Sequence, residues 1–328
     1  MYDIITFGSA TWDIFIKPKN FQKVSDKNKF ITGEGVCFGL GSKVEVKDIF
    51  FSSGGGGTNT AATFAKQGFK VAYCGKVGED LAGKEVIKEL DRFNVDTEFV
   101  FRTKEKPTNL SIILSAADNN RTIFVYRGAS EELKKNEIPL KNLKAKWFYL
   151  APLSDKLCGI FEDLVDFAHK NKIKIVVNPG NSQLSLPEAT LKKILKKINI
   201  LILNQEEASF LTKIPYQKEA EIFKKIDEIC PGIAIVTKGE RGALVSDGKY
   251  LYKCKTPKIK VVDSTGAGDS FASGFVSGYI LKNGDIEYAL RLGTANATAC
   301  LKKIGAKNGL LKKSDKWEKV EVEKKIIS

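Results

Sequence analysis

Residues 147–177, WFYLAPLSDKLCGIFEDLVDFAHKNKIKIVV, decide the fold class. The ends, WFYL (147–150) and KIVV (174–177), are short apolar runs of strand type. Between them IFEDLVDFAHK (160–170) puts Ile160, Leu164, Val165 and Ala168 on one face at helical spacing. Strand, amphipathic helix and strand in that order make a crossover unit, which joins neighbouring parallel strands. Outward from it, the strand candidates IITF (4–7), VAYC (71–74), LILN (201–204) and IAIVT (233–237) alternate with helical stretches. The chain therefore reads as α/β, with a mostly parallel central sheet and helices on both faces.

Three segments break this rhythm. SKVEVKDIFF (42–51), NLSIILSA (109–116) and RTIFVYR (121–127) read as strands without crossover helices, which predicts a small β sheet beside the main one. Asp118, Asn119 and Asn120 supply turn chemistry between the last two. The Gly-, Lys- and Asp-rich residues 21–40 read as a connection into this small sheet. With no internal repeat or low-complexity tract, residues 1–328 are read as one domain carrying a β lid built from about 13–18, 42–51 and 109–127.

Composition narrows the function classes. A hydrophobic content of 43% and a charged content of 28% are those of a soluble globular protein. No apolar stretch approaches the ~18 residues of a membrane span. The opening MYDIITFGSATWDIFI contains Asp3 and Asp13, lacks a basic flank and a cleavage site, and reads as a buried strand instead of a signal peptide. The six cysteines form no C-x-x-C pair and have no histidine at metal-ligand spacing, so they read as reduced core thiols in a cytoplasm. The net charge of +14 comes from 47 lysines and only six arginines. That ratio, and the lack of an aromatic-interleaved basic platform, argue against a nucleic-acid partner. LKKILKK (191–197) reads as a helix whose lysines face solvent.

Two glycine segments carry most of the chemistry. In GGGGTNTAATFAKQG (54–68), Gly55 and Gly56 would let a ligand approach the backbone closely, and the Asn59 amide can donate to and accept from hydroxyls. A flexible turn before a helix is the other reading. Asp13, after the first strand and facing this loop, can accept hydroxyl hydrogen bonds. In VDSTGAGDSFASGF (262–275), Gly266, Ala267 and Gly268 form a tight turn before a small-residue helix whose free N–H groups can hold an anion. Asp269, in the first turn of that helix, is either a cap or the base that takes a proton from an attacking hydroxyl.

Further motifs sit at strand ends. In LILNQEEASF (201–210), Asn204 and Glu207 are three apart, spaced either for a capping box or to face a water-bound Mg²⁺. In TKGERGALV (237–245), Thr237, Gly239 and Gly242 form a glycine-spaced turn, on its own a hairpin. GEDLAGKE (78–85) imitates a P-loop, but Glu85 replaces the required hydroxyl with an anion that would repel a triphosphate. No G-x-G-x-x-G follows the first strand. His169, the one histidine, lies at the polar end of a helix, which argues against a Ser-His or Cys-His mechanism.

Taken together, the glycine segments resemble the paired signatures of the ribokinase (PfkB) family of carbohydrate and nucleoside kinases. The first matches as G-G-x-G-x-N-x-A (54–61) followed by Gly68 and Gly78, the second as D-S-T-G-A-G-D (263–269) followed by Ser273-Gly274. The N-x-x-E from Asn204 to Glu207 and the T-x-G-x-x-G from Thr237 to Gly242 fall between them, as in such kinases. The resemblance implies a ribokinase-like three-layer sandwich with a small β lid, and ATP-dependent phosphorylation of a hydroxyl on a small sugar. A nucleoside kinase of the same fold, or a catalytically silent sugar- or nucleotide-binding relative, is the alternative. It implies Asp269 as the base, with Gly266, Ala267 and Gly268 cradling the phosphoryl group and Asp13, Gly55, Gly56 and Asn59 holding the substrate. Asn204, Thr237, Gly239, Gly242 and Asn296 would line the nucleotide site. Glu207 would reach Mg²⁺ through water, and Asp263 and Thr265 would bind a monovalent cation, K⁺ being the candidate. A cytoplasmic homodimer formed through the lid is also implied. Two departures remove ribose as the implied sugar. Thr11 stands where ribokinase-like sequences carry Asn, and APLSD (151–155) lacks the Glu that ribokinase uses on its sugar. Arg127 in VYRGAS (125–130) resembles lid segments of members acting on sugars or nucleosides.

Overall fold

The computed structural model describes residues 1–28, 30, 33–115, 121–153 and 155–327. The expected turn at Asp118, Asn119 and Asn120 lies outside them. In chain order the first part comprises β1 (Tyr2–Phe7), β2 (Thr11–Pro18), β3 (Gln22–Ser25), β4 (Glu34–Cys37), β5 (Val46–Gly54), α1 (Gly56–Lys66), β6 (Val71–Gly78) and α2 (Leu81–Arg92). Next come β7 (Val100–Thr103), β8 (Asn109–Ser115), β9 (Arg121–Tyr126), β10 (Ala145–Leu150), α3 (Phe161–Lys170), β11 (Lys174–Val177), α4 (Asn181–Leu184) and α5 (Glu188–Leu195). The remainder is β12 (Ile200–Asn204), α6 (Gln205–Thr212), α7 (Glu219–Ile229), β13 (Ile233–Thr237), β14 (Ala243–Ser246), β15 (Tyr250–Cys254), α8 (Ala267–Leu281), α9 (Ile286–Leu301) and β16 (Val322–Ile326).

Ten strands form the main sheet in the order β16-β15-β14-β13-β12-β11-β10-β1-β6-β7. The seven from β13 to β7 are parallel and the other three are antiparallel. Strand alternation sends successive side chains to opposite faces, and this divides the core in two. Ile5, Phe148, Ile175 and Leu201 pack under α3, α5, α6 and α7. Ile4, Trp147, Val176 and Ile200 pack under α1, α2, α8 and α9. Ile160, Leu164, Val165 and Ala168 are all buried, as the helical spacing of 160–170 requires.

A second sheet has the order β5-β2-β8-β9. It is mixed, since β2 runs parallel to β8 and antiparallel to β5. The strand expected over 42–51 begins instead at Val46. Its partner β2 ends at Pro18, which faces Val46 across a register shift, and beyond that point one backbone bond continues the pairing, from the Lys19 N–H to the Glu45 carbonyl at 2.9 Å. Residues 21–40 are more than a connection, because β3 and β4 pair there as an antiparallel two-stranded sheet.

Chain order and strand order part at β1. From β1 the chain moves outward to β6 and β7, then returns to lay β10 on the other side of β1 and continues to β13. The crevice beyond the carboxyl ends of β1 and β10 is thus a topological switch point, where open α/β sheets bind ligands.

Phe64 of α1 is fully buried and packs edge-on against Phe69 and Tyr149, at ring-centroid distances of 6.2 and 5.5 Å. Phe64→Ala is expected to cost about 3–5 kcal/mol through lost burial and an unfilled cavity. Urea denaturation reads this as a lower midpoint at unchanged slope, and an unmoved midpoint would refute the packing described.

Candidate active site

The glycine run of 54–57 packs α1 onto the end of β1. A Cβ on Gly57 would stand 3.0 Å from the Gly8 carbonyl carbon and 2.6 Å from the Tyr73 ring. Thr6 Oγ1 donates to the Gly57 carbonyl at 2.9 Å and Tyr73 donates to the Gly8 carbonyl at 2.9 Å. Gly55 is the residue before α1, at φ +95° against Ser9, and Gly56 opens the helix beside Ala151 and Pro152 at the end of β10.

The second glycine segment enters the same crevice. Gly266 is left-handed, at φ +74°, and a Cβ there would lie 2.9 Å from the Ala306 Cα. Only glycine meets both conditions. α8 then starts at Ala267, and around Gly268 the space is open.

Asp269 does not cap α8. Its Oδ2 accepts a 2.8 Å hydrogen bond from Asn59 Nδ2, so the carboxylate reaches across to α1. A Cβ on Gly56 would be 3.5 Å from its Oδ1. Burial pushes the Asp269 carboxyl above its ordinary range, opposed by the Asn59 hydrogen bond and the Lys307 charge. The other end of the Asn59 amide, Oδ1, is buried without a hydrogen-bond partner. So is the Tyr149 hydroxyl, whose pKa is raised by burial and by the charge of Asp269.

Asp13 lies on β2, 5% exposed, between Ser52 of β5 and Ser111 of β8. A side chain on Gly54 would collide with its carboxylate. Burial pushes Asp13 up to about 6, against the pull of a Ser111 hydrogen bond and Lys307.

Residues 28–313 match the profile of the pfkB family carbohydrate kinases. The chain belongs to this family. It is a phosphotransferase with an alcohol acceptor. An uncharacterized sugar kinase of Archaeoglobus fulgidus is 31% identical over 255 residues, covering 76% of this chain and 99% of that protein. Among solved structures, Arabidopsis thaliana ribokinase complexed with ribose and ATP superposes with a TM-score of 0.76 at 22% identity, covering 95% and 96% of the two chains. The Methanocaldococcus jannaschii nucleoside kinase does so with a TM-score of 0.72 at 21% identity, covering 94% and 95%. At such identities the two superpositions speak for the fold alone.

For this pfkB kinase the structure brings some expected residues together and not others. Asn204 and Glu207 form a reciprocal capping box. Asn204 Oδ1 accepts from the Glu207 N–H and Glu207 Oε2 from the Asn204 N–H, each at 2.8 Å. Burial raises the Glu207 carboxyl above its ordinary range, opposed by the Asn204 N–H. Thr237 faces Asn204 across the β12–β13 pair, and Gly239 and Gly242 shape the hairpin to β14. Asn296, expected at the nucleotide site, is instead fully buried. Its amide donates to the Ser270 carbonyl at 2.8 Å and accepts from the Leu311 N–H at 2.9 Å, so it fastens the 305–311 loop to α8. At 78–85, Asp80 accepts from the Gly83 N–H at 2.7 Å and caps α2, an arrangement that occupies the donors a phosphate would need.

The cation site implied by Asp263 and Thr265 does not fit a metal ion as these atoms lie. Asp263 Oδ1 accepts from the Thr265 N–H (3.0 Å), Thr265 Oγ1 (2.8 Å) and Arg121 NH1 (2.9 Å), and Oδ2 accepts from the Gly305 N–H (2.8 Å). Arg121 NH1 also donates to Thr265 Oγ1 at 2.5 Å. A cation at these oxygens would meet a guanidinium.

Two functional-site residues escaped the sequence reading, Arg121 and Lys307. Lys307 follows α9 and is fully buried, with Nζ donating to the Ser53 carbonyl (2.8 Å) and Oγ (2.5 Å). Burial pushes its amine down to about 8, against the charges of Glu89, Asp13 and Asp269. One lysine among 47 carries no signal in sequence; only the fold gathers the carboxylates around it.

A carboxyl raised to about 6 means that the fold disfavours charged Asp13. The folded state holds this proton above the pH at which the unfolded chain, near 3.9, releases it. Its stability contribution is complete below the unfolded value and is lost as pH rises through about 6. Asp13→Asn, which never carries the charge, should therefore gain in Tm relative to the parent between pH 4 and 7. A constant Tm difference across that range would contradict the assignment.

Proposed function

We propose that this kinase transfers the terminal phosphoryl group of ATP to a hydroxyl of a small sugar, with Asp269 as the base. The observation that carries this reading is the hydrogen bond joining Asp269, behind one glycine turn, to Asn59 of the other glycine segment. A carboxylate used only as a cap would face its own helix. Here it faces the crevice that both glycine segments line. As the acceptor oxygen bonds to phosphorus and the bond to ADP breaks, the hydroxyl proton passes to Asp269. Its raised pKa brings the base closer to working pH and strengthens its pull on that proton.

The N–H groups at 266–268 and the N-terminus of α8 receive the phosphoryl charge. Asp13, the free Asn59 Oδ1 and the backbone at Gly55 and Gly56 hold the acceptor hydroxyls, a role supported by the burial of one carboxylate and one unpartnered amide oxygen. Asn204, Thr237, Gly239 and Gly242, clustered at the ends of β12 and β13, serve the nucleotide. An Mg²⁺ carried on the ATP phosphates would be reached through water by Glu207, a role supported by its place in the first turn of α6, just past the end of β12. That ion would neutralise phosphate charge during transfer. A nucleoside acceptor is the second reading, favoured by the nucleoside kinase likeness. A screen of sugars and nucleosides with ATP and Mg²⁺ separates the two.

Asp269→Asn keeps the shape and the Asn59 contact but cannot take a proton. Turnover should fall about 10²- to 10⁴-fold while Tm and calorimetric ATP affinity stay near the parent values. Turnover within about threefold of the parent, set against that base contribution, would sink the mechanism.

The lid is proposed to close a homodimer. Ile49, Phe50 and Phe51 of β5 and Ile123, Phe124, Val125 and Tyr126 of β9 are all exposed, apolar side chains on the two outer strands of the small sheet that a second copy would cover. Five of the six cysteines are buried, as core thiols are, which supports a cytoplasmic setting. Phe124→Asp should shift sedimentation from twice the chain mass to one chain mass. A parent that sediments as one chain would remove the dimer reading.

A further inference from the structure

We propose that the Arg121 guanidinium, and not a bound monovalent cation, supplies the positive charge behind the glycine turn at 266–268. Arg121 is thereby the residue that positions the turn from the small sheet. The inference rests on the phosphoryl-transfer reading of that turn and deepens it.

The geometry is specific. Arg121 opens β9 on the edge of the small sheet, whereas Asp263 and Thr265 lead directly into Gly266 on the main body. Its NH1 bridges Asp263 Oδ1 and Thr265 Oγ1, and the Asp263 side chain is only 9% exposed. With the N–H groups of Thr265 and Gly305, this gives both oxygens of Asp263 donors from the protein itself. A charge-assisted hydrogen bond of this kind is stronger than a neutral one, and the planar guanidinium is weakly hydrated and suited to partial burial.

The charge has a clear task. An uncompensated Asp263 beside the turn would repel the phosphoryl group that the turn must receive. A cation fixed to the chain removes that repulsion without drawing on the ionic medium. It also adds a mechanical link, because β9 pairs with β8 through Arg121 and Ser115, and β8 pairs with β2 through Ser111 and Asp13. The strand carrying the acceptor-facing carboxylate is thus joined through two ladders and one ion pair to the phosphate cradle. Closure of the small sheet over an acceptor and readiness of the turn become one event.

The test compares parent enzyme, Arg121→Met and Arg121→Lys in potassium chloride and in tetramethylammonium chloride at equal ionic strength, with Mg²⁺ constant. Two readouts are taken: turnover with ATP and the best acceptor, and Tm without nucleotide. The parent should show equal turnover in the two salts, within about twofold, and equal Tm. Arg121→Met should lose about tenfold or more in tetramethylammonium, the scale of a lost charge-assisted hydrogen bond. Potassium should restore part of that turnover and raise the variant's Tm, and Arg121→Lys should fall between the two. A parent that loses tenfold in tetramethylammonium overturns the proposal without any variant. So does an Arg121→Met enzyme that matches the parent, or one that is impaired yet blind to potassium in both readouts. If no acceptor is turned over at all, the phosphoryl-transfer reading fails separately, and the Tm comparison still decides the role of Arg121.

Discussion

Two helix N-termini have to meet at the end of β1, and the closeness of that meeting governs the rest of the site. α1 can come within contact of Gly8 only because residue 57 lacks a side chain, and α8 can turn in beneath residue 306 only because residue 266 is left-handed and bare. The result is a 2.8 Å hydrogen bond between side chains 210 positions apart in sequence. Each helix contributes a positive dipole end at this point, so a crevice walled by apolar strands can still hold carboxylates. Any side chain that lengthened the approach would separate Asn59 from Asp269 and dissolve the constellation.

That arrangement is electrostatically costly. Asp13 and Asp269 are both held above their ordinary carboxyl range by burial, and Lys307, the buried amine that answers them, is itself driven down to about 8. Charges displaced in both directions within one crevice are typical of sites kept for chemistry at the expense of stability. The opposing signs also temper each other. Lys307 lowers both carboxyls, and their charges in turn support its protonation. Its two bonds to Ser53 fix it at the start of the glycine run.

What could be read in the sequence was whatever rests on local periodicity. The strand–helix–strand unit at 147–177 and the apolar face of 160–170 followed from spacing alone, and the glycine segments announced close backbone approach. The strand start at residue 42 was misread because SKVEV alternates like a strand, while the proline that ends its partner lies 24 positions earlier at Pro18. The β3–β4 pair was missed since four-residue strands in a Lys- and Gly-rich stretch have too little pattern to register. Asn296 was placed at the nucleotide site by the family resemblance alone, and its sequence context carries no trace of the partners it has here, Ser270 and Leu311. Arg121 and Lys307 depend wholly on distant contacts, Asp263 for one and Ser53 for the other, and such contacts leave no local trace. Asn204 and Glu207 keep two readings, for the capping box that fixes their geometry also leaves them where β12 ends and α6 begins.

The small sheet is assembled from two separate lengths of chain. β2 and β5 lie before α1, whereas β8 and β9 come after β7, and β2 is the seam, since it pairs with β5 on one side and β8 on the other. No single cut can remove this sheet or exchange it for that of a relative. A graft meant to alter acceptor choice must carry residues 11–54 and 109–126 together, or strand β2 loses a neighbour. Gradual change in such an enzyme therefore runs through paired substitutions across the seam, and a hybrid made at one junction would inherit an unmatched edge prone to sticking to other chains.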